Sequence, residues 1–265
     1  MSKIRSVILA GGRGTRMRVD LPKVLVSTLE KPLLAHAIDT LMGVDIDKII
    51  LVVSYKAELV VKFINQNVAP LKTPIFFAKQ EQPLGTGDAL KAAWNFDRSF
   101  SGTFLVTSGD VPLTKPQTIK NLLELHKGSS NTISFVSFRY GEEEVATSPY
   151  GRIKRDSFGK VVKIIEKKDC LPEELGIAEQ NGGIYVIESS FLELGFYHLN
   201  NNNAQNEYYL TDLVEIAINN NLKVEAYDIA SRREILGVNT QEELAVINQI
   251  LENENIRERD LSQRN

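Results

Sequence analysis

Short apolar runs separated by amphipathic stretches organise the first half of the chain. Ser6-Val7-Ile8-Leu9-Ala10 reads as a buried strand and runs directly into Gly11-Gly12-Arg13-Gly14. Leu34, Ile38, Leu41 and Met42 then recur at helical spacing, before a second apolar run, Ile49-Ile50-Leu51-Val52-Val53. Val60, Val61 and Ile64 predict another helix, and Ile75-Phe76-Phe77 a short strand. Ala89, Ala92 and Ala93 predict a further helix, and Phe104-Leu105-Val106 the next strand. Continuously apolar strands alternating with helices predict an α/β fold, its sheet mainly parallel and covered on both faces. Ligands in such sheets bind beyond the carboxyl ends of the strands. Function is therefore expected in the loops after Ala10, Phe77 and Val106.

The second half is more mixed. Gly151-Arg152-Ile153-Lys154-Arg155 and Lys160-Val161-Val162-Lys163-Ile164-Ile165 read as strands around the turn Asp156-Ser157-Phe158-Gly159. Gly183-Ile184-Tyr185-Val186 is another strand, and Leu210, Leu213, Val214, Ala217 and Ile218 form a helical stripe. Thr240 and Glu243 match a capping box ahead of Leu244, Ile247 and Leu251. Beyond Glu252 the pattern becomes a charged tail, read as a solvated helix end or a frayed terminus.

Composition narrows the function classes. The 265 residues allow one large α/β domain or two small ones, and 43% hydrophobic with 25% charged residues suits a globular protein. A formal net charge of −3 argues against a broad nucleic-acid or membrane-binding surface. Cys170 is the single cysteine, which rules out an intrachain disulfide and disfavours a thiolate zinc site. The chain begins directly in a strand pattern, and no apolar stretch approaches the roughly 18 residues of a membrane span. A soluble, cytoplasmic protein is expected.

Three loops carry candidate chemistry. In Leu9-Ala10-Gly11-Gly12-Arg13-Gly14-Thr15-Arg16-Met17, closely spaced glycines let backbone N–H groups approach phosphates, and Arg13, Arg16 and Lys23 supply positive charge. A Walker A loop is excluded because no Gly-Lys-Ser/Thr follows, and a dinucleotide fingerprint because Met17 holds the third glycine position. Glycines alone also make tight turns; the two arginines and Pro22-Lys23 favour phosphate. Gln80-Glu81-Gln82-Pro83-Leu84-Gly85-Thr86-Gly87-Asp88 contains amides able to pair with a base edge, or is an ordinary helix-entry loop. Asp110, in Thr107-Ser108-Gly109-Asp110-Val111-Pro112-Leu113, stands where an aspartate could hold a divalent cation, or could merely cap a turn. His36 and His126 fall within helical patterns, His198 in a polar loop, and Glu142-Glu143-Glu144 reads as a solvated loop.

In this order, the segments resemble those of the nucleotide-diphospho-sugar pyrophosphorylases. Ser148-Pro149-Tyr150-Gly151-Arg152-Ile153, Glu166-Lys167-Lys168-Asp169 and Asn201 to Asp212 narrow the resemblance. It is then to the uridylyltransferase half of the bifunctional bacterial N-acetylglucosamine-1-phosphate uridylyltransferases, from about Val7 to Asn248. The resemblance implies a Rossmann-like three-layer α/β/α fold with a mixed, mainly parallel central sheet. It implies one nucleotidyltransferase domain over 1–250, with a nucleotide part to about 115, a sugar part over about 116–239, and a charged tail at 251–265.

Carried over by position, Leu9, Ala10, Gly11, Gly12, Gly14 and Thr15 would line the nucleotide site, while Arg16 and Lys23 hold phosphates and stabilise departing pyrophosphate. Gln80, Gly85 and Thr86 would read uracil, and Asp110 with Asn239 would coordinate Mg2+. Gly151, Glu166 and Asn181 would bind the sugar phosphate, with Glu207, Tyr209 and Thr211 around its N-acetyl group. The implied reaction joins UTP and N-acetylglucosamine 1-phosphate, with magnesium and no general base. Some positions depart from the pattern: Ala10-Gly11-Gly12 stands for Ala-Ala-Gly, Ser54-Tyr55-Lys56 for Gly-His-Gly, and Asp88 for a frequent histidine. Likewise Pro83 replaces a glutamine, and Gly182 a threonine. A UTP- or dTTP-dependent glucose-1-phosphate nucleotidyltransferase therefore stays open, as does a non-catalytic nucleotide-sugar sensor. No hexapeptide repeat of a β-helix acetyltransferase domain is found, so acetyl transfer is not expected; the chain is read as free-standing or truncated. Oligomeric state stays open.

Overall fold

The computed structural model describes residues 3–29, 31–68, 71–141 and 144–262. Its centre is a nine-stranded sheet in the order β11-β7-β10-β6-β1-β4-β5. In chain order these strands are β1 (Ile4–Leu9), β4 (Lys48–Val53), β5 (Ile75–Lys79), β6 (Thr103–Ser108), β7 (Ile133–Arg139), β10 (Glu179–Glu188) and β11 (Val224–Asp228). The hairpin strands β8 (Arg152–Arg155) and β9 (Val161–Ile165) attach to β10, and β2 (Ser27–Thr28) pairs with β3 (Lys31–Pro32) separately. Neighbours β5, β4, β1 and β6 run parallel, whereas β10 is antiparallel to both β6 and β7. The sheet is mixed, and parallel throughout from β5 to β6.

Alternation along the strands builds the layers. Val7, Ile50, Val52, Phe104 and Val106 point to one face, against α3 (Thr86–Phe96), α5 (Ser189–His198) and α6 (Asp212–Asn219). Ile8, Ile49, Leu51 and Leu105 point to the other, against α1 (Leu33–Met42), α2 (Ala57–Asn67) and α4 (Pro116–Ser129). Both faces are buried, which is why these strands read as unbroken apolar runs. A third cluster, with Met17, Leu33, Val238 and Ile247, seats α7 (Gln241–Ser262) beside the glycine loop. Among the described residues no helix is long and apolar enough to cross a membrane.

Among the longer elements the pattern misses three. In β7, the fully buried Ser134 and Ser137 interrupt the apolar run. In β11 most positions are half-buried, because it lies at the sheet edge beside β7. The third is α5, and it corrects one expectation: His198 is its last residue and not part of a polar loop. The expected turn is present, with Gly159 at φ 77° and the Asp156 carboxylate accepting from Phe158 N–H at 2.9 Å. Of the acidic triplet, Glu142 and Glu143 lie outside the described residues; Glu144 is exposed and pairs with Arg232. The tail continues α7 to Ser262, and residues 263–265 lie outside the described residues.

Candidate active site

The carboxyl ends of β1, β4, β5 and β6 open into two cavities. The smaller, about 440 Å³, is lined by Gly11, Gly12, Lys23, Gln80, Gly85 and Asp110 among others. The larger, about 700 Å³, is lined by Asp110, Tyr150, Gly151, Glu166, Asn181 and Asn239 among others. Ser108 and Asp110 line both cavities. The carboxyl end of β6 and the residues just after it therefore form a wall shared by the two cavities.

Local sequence explains the shape. After β1, Ala10 stays buried while its N–H donates to Val52 at 2.9 Å, so the loop leaves the sheet only at Gly11. Gly14 adopts φ 63°, and Thr15–Met17 form a single 3₁₀ turn. Arg16 lines the larger cavity, and Arg13 stacks over Tyr55 at 4.9 Å. On the opposite wall, β10 carries an irregularity in its pairing with β7 between Asn181 and Tyr185. Gly183 there has φ 76° and donates to the Asn181 side chain at 3.0 Å. A Cβ on Gly182 would stand 2.7 Å from the Val136 side chain, so the threonine of the family pattern does not fit this backbone.

Charge is arranged in two zones. Between the cavities, the Lys23 ammonium pairs with Asp110 and donates to the Asn239 side-chain oxygen at 2.9 Å, while Ser108 donates to the other Asp110 oxygen. Two oxygens from distant segments thus converge on one positive charge. At the far wall of the larger cavity the side chains are acidic. Burial, then the neighbouring Asp169 and Glu207, raises the Glu166 carboxyl above its ordinary value, while Thr211 opposes this by donating at 3.0 Å. Asp212 behind it is pushed up to about 7, first by burial and then by Glu166, Glu215 and Asp169.

Most expected residues converge here. Gly11, Gly12, Leu9, Lys23, Gln80, Gly85 and Thr86 line the smaller cavity, while Gly151, Glu166, Asn181 and Asn239 line the larger. Glu207 falls on the smaller cavity. Ala10, Gly14 and Thr15 line neither cavity, and nor do Tyr209 and Thr211, which are buried beneath Asp169 and Glu166, to which their hydroxyls donate at 3.1 and 3.0 Å.

A buried arginine was not singled out by the sequence. Arg152 is fully buried without a carboxylate partner among the described residues. Its guanidinium instead donates to the carbonyls of Ser148 and Val145 at 3.0 and 2.9 Å and to that of Tyr150. It ties down the loop that carries Tyr150 and Gly151 into the larger cavity. Its place beside Gly151 was the one available signal.

Comparison with known proteins matches the chain to a family. The family model "Nucleotidyl transferase" matches residues 5–231, which takes in nearly all of the sheet and the whole lining of the smaller cavity; Ile235, Gly237, Asn239 and Glu243 of the larger cavity lie beyond it. The chain belongs to the nucleotidyl transferase family. Curated relatives of this nucleotidyl transferase include the "Bifunctional protein GlmU" of Clostridium novyi, 40% identical over 93% of this chain. That of Geobacter metallireducens is 36% identical over 92%. The chain spans about half the length of these relatives, 52% and 50% respectively. A solved chain described as a glucose-1-phosphate thymidylyltransferase from Bacillus anthracis, crystallised with sucrose, shares the fold. Its TM-score is 0.73 at 20% identity, over 93% of this chain and 94% of that one.

Proposed function

We propose that the chain transfers the uridylyl group of UTP to N-acetyl-α-D-glucosamine 1-phosphate, releasing pyrophosphate. The observation that carries this reading is the meeting of two cavities at Asp110, one behind the glycine loop and one lined by Gly151, Glu166 and Asn181. A sugar-phosphate oxygen attacks the α-phosphorus; the new P–O bond forms as the bond to pyrophosphate breaks. The attacking oxygen is already ionised near neutral pH, so no base is required. What the chain supplies is alignment of two anions and positive charge from Arg16 and Lys23. The acidic wall at Glu166 suits sugar hydroxyls, which it can hold as hydrogen-bond donors.

The donor set suits magnesium. Among the described residues no cluster of three or more His, Cys, Asp or Glu could hold a metal. Asp110 and Asn239 nevertheless already direct oxygens at one cation, the Lys23 ammonium. One carboxylate, one amide oxygen and phosphate oxygens match the preference of Mg2+. Held there, the ion would add positive charge between the reacting phosphates. Lys23 would then be free to pair with phosphate oxygens.

A glucose-1-phosphate nucleotidyltransferase is the second reading. It is favoured by the burial of Tyr209 and Thr211, which leaves the N-acetyl group without their direct contact. The test follows pyrophosphate release with magnesium and UTP, offering N-acetylglucosamine 1-phosphate or glucose 1-phosphate. Turnover with the acetylated sugar alone is expected. Preference for glucose 1-phosphate overturns the substrate but keeps the chemistry, and no release with either sugar and any common nucleotide favours a sensor.

A further inference from the structure

The smaller cavity contains a hydrogen-bond orientation that its surroundings do not allow to reverse. Gln80 follows β5 and is buried, 6% exposed. Its Nε2 donates to the Gly85 carbonyl at 3.0 Å and to the Asp88 carboxylate at 2.9 Å. A carbonyl and a carboxylate are both acceptors. Turning the amide over would set its oxygen against both of them, so the nitrogen stays on that side. Its two hydrogens are used there. Among the described residues no group donates to Oε1. That oxygen lies beside Gly11, where an added Cβ would stand 3.4 Å from it, and Gly11 and Gln80 line the same cavity.

We propose that Asp88 is a positioning residue for base selection: it locks the Gln80 amide so that only the oxygen faces the nucleobase. The inference rests on the nucleotide reading of this cavity and adds the device that chooses the base. An amide oxygen accepts from an imino N–H, which uracil and thymine carry at N3. Cytosine presents a lone pair at the same ring atom, and two acceptors then oppose each other. Without Asp88 a reversed amide meets one opposing acceptor, the Gly85 carbonyl, and can offer its NH2 to cytosine. The selection is between ring-nitrogen states; uracil and thymine are not separated by it.

Asp88 also lies in the first turn of α3, where a carboxylate favours the helix whatever the ligand. A purely structural role would weaken all nucleotides alike, so the UTP-to-CTP ratio is the informative readout. Titration calorimetry of the full chain with magnesium-UTP and magnesium-CTP, without sugar phosphate, measures it directly. The unaltered protein should prefer UTP by about 10–100-fold, the scale of one unpaired buried polar contact. Asp88→Ala should narrow that ratio about tenfold, chiefly by relative gain of CTP. Asp88→Asn is isosteric and can present either an oxygen or an NH2 to Gln80. It should narrow the ratio about threefold, on the same scale, and tests the idea if the alanine variant does not fold. An unchanged ratio in a variant that binds UTP, or equal loss of both nucleotides, overturns the role of Asp88. Equal affinity of the unaltered protein for UTP and CTP overturns it while leaving nucleotidyl transfer intact. No binding of any nucleotide overturns the reading of the cavity and the inference together.

Discussion

Lys23 carries more of the site than a phosphate contact would require. Its ammonium joins Asp110 to Asn239, residues brought together only by the fold. Removing it leaves two acceptor oxygens facing each other without a cation. Lys23→Ala should therefore melt earlier in metal-free buffer, with a stability loss of about 3 kcal/mol, the scale for removing one partner of a largely buried pair. Added magnesium should raise its melting temperature more than that of the parent. Equal magnesium effects in both proteins would show that the ion does not share the oxygens of Lys23. Asp110→Ala should lower turnover by at least about 10²-fold, the cost typical of one preorganised electrostatic contact. Near-normal pyrophosphate release by the purified variant would remove Asp110 from the reaction. Asp110 was legible in the sequence because it follows an apolar strand, but its pairing with Lys23 was not, since pattern carries no information on distant approach. The Gly11 and Ser54 departures are explained only in three dimensions. A Cβ on Gly11 would stand 3.1 Å from that of Ser54, so an alanine at 11 would crowd a side chain at 54 and one of the two would have to give by a few tenths of an ångström.

Elements join the two halves of the site at Gly85. This residue caps α3 at φ 111°, and an added Cβ would lie 2.6 Å from the Tyr208 carbonyl. The same segment exchanges backbone bonds with it: Gly87 N–H donates to Tyr208 at 2.7 Å, and Tyr208 N–H to Leu84 at 2.7 Å. The loop leading into α3 and the segment after α5 are thus one ribbon-like contact. Gly85→Ala should cost about 1–3 kcal/mol in strain alone. Faster hydrogen exchange at the Gly87 and Tyr208 amides would locate the damage, and protection equal to the parent's would show that the backbone absorbs the methyl elsewhere. The sequence showed the loop and the Asn201–Asp212 segment separately. It also showed the capping box of α7, where Glu243 N–H donates to Thr240 Oγ1 at 3.2 Å, because such a cap is local. It did not show β7 or β11, whose serines and edge position remove the apolar signal on which strand prediction depends.

At the scale of the whole molecule, the acidic wall behind the larger cavity links function to pH. Glu166, Asp169 and Asp212 cluster where the folded chain withdraws them from water, and Asp212 is pushed from 3.8 up to about 7. The raised value means that the folded state holds this proton more tightly than the unfolded chain. Below about pH 4 both states are protonated, and the full benefit of an uncharged Asp212 is present. Between about pH 4 and 7 the unfolded chain ionises first, so this contribution to stability declines as pH rises. Above about 7 it is gone, and the fold carries a half-buried charge beside Glu166. Asp212→Asn stays neutral throughout and should escape that decline. Its melting temperature relative to the parent should therefore climb between pH 5 and pH 8, on the scale of about 2–4 °C per kcal/mol for a domain of roughly this size. A constant difference across that range would mean that Asp212 is ionised in the fold from the outset. The charges raising it would then have to be offset by something other than a proton, and Lys163, a cation acting on it in the opposite direction, is the group to replace next.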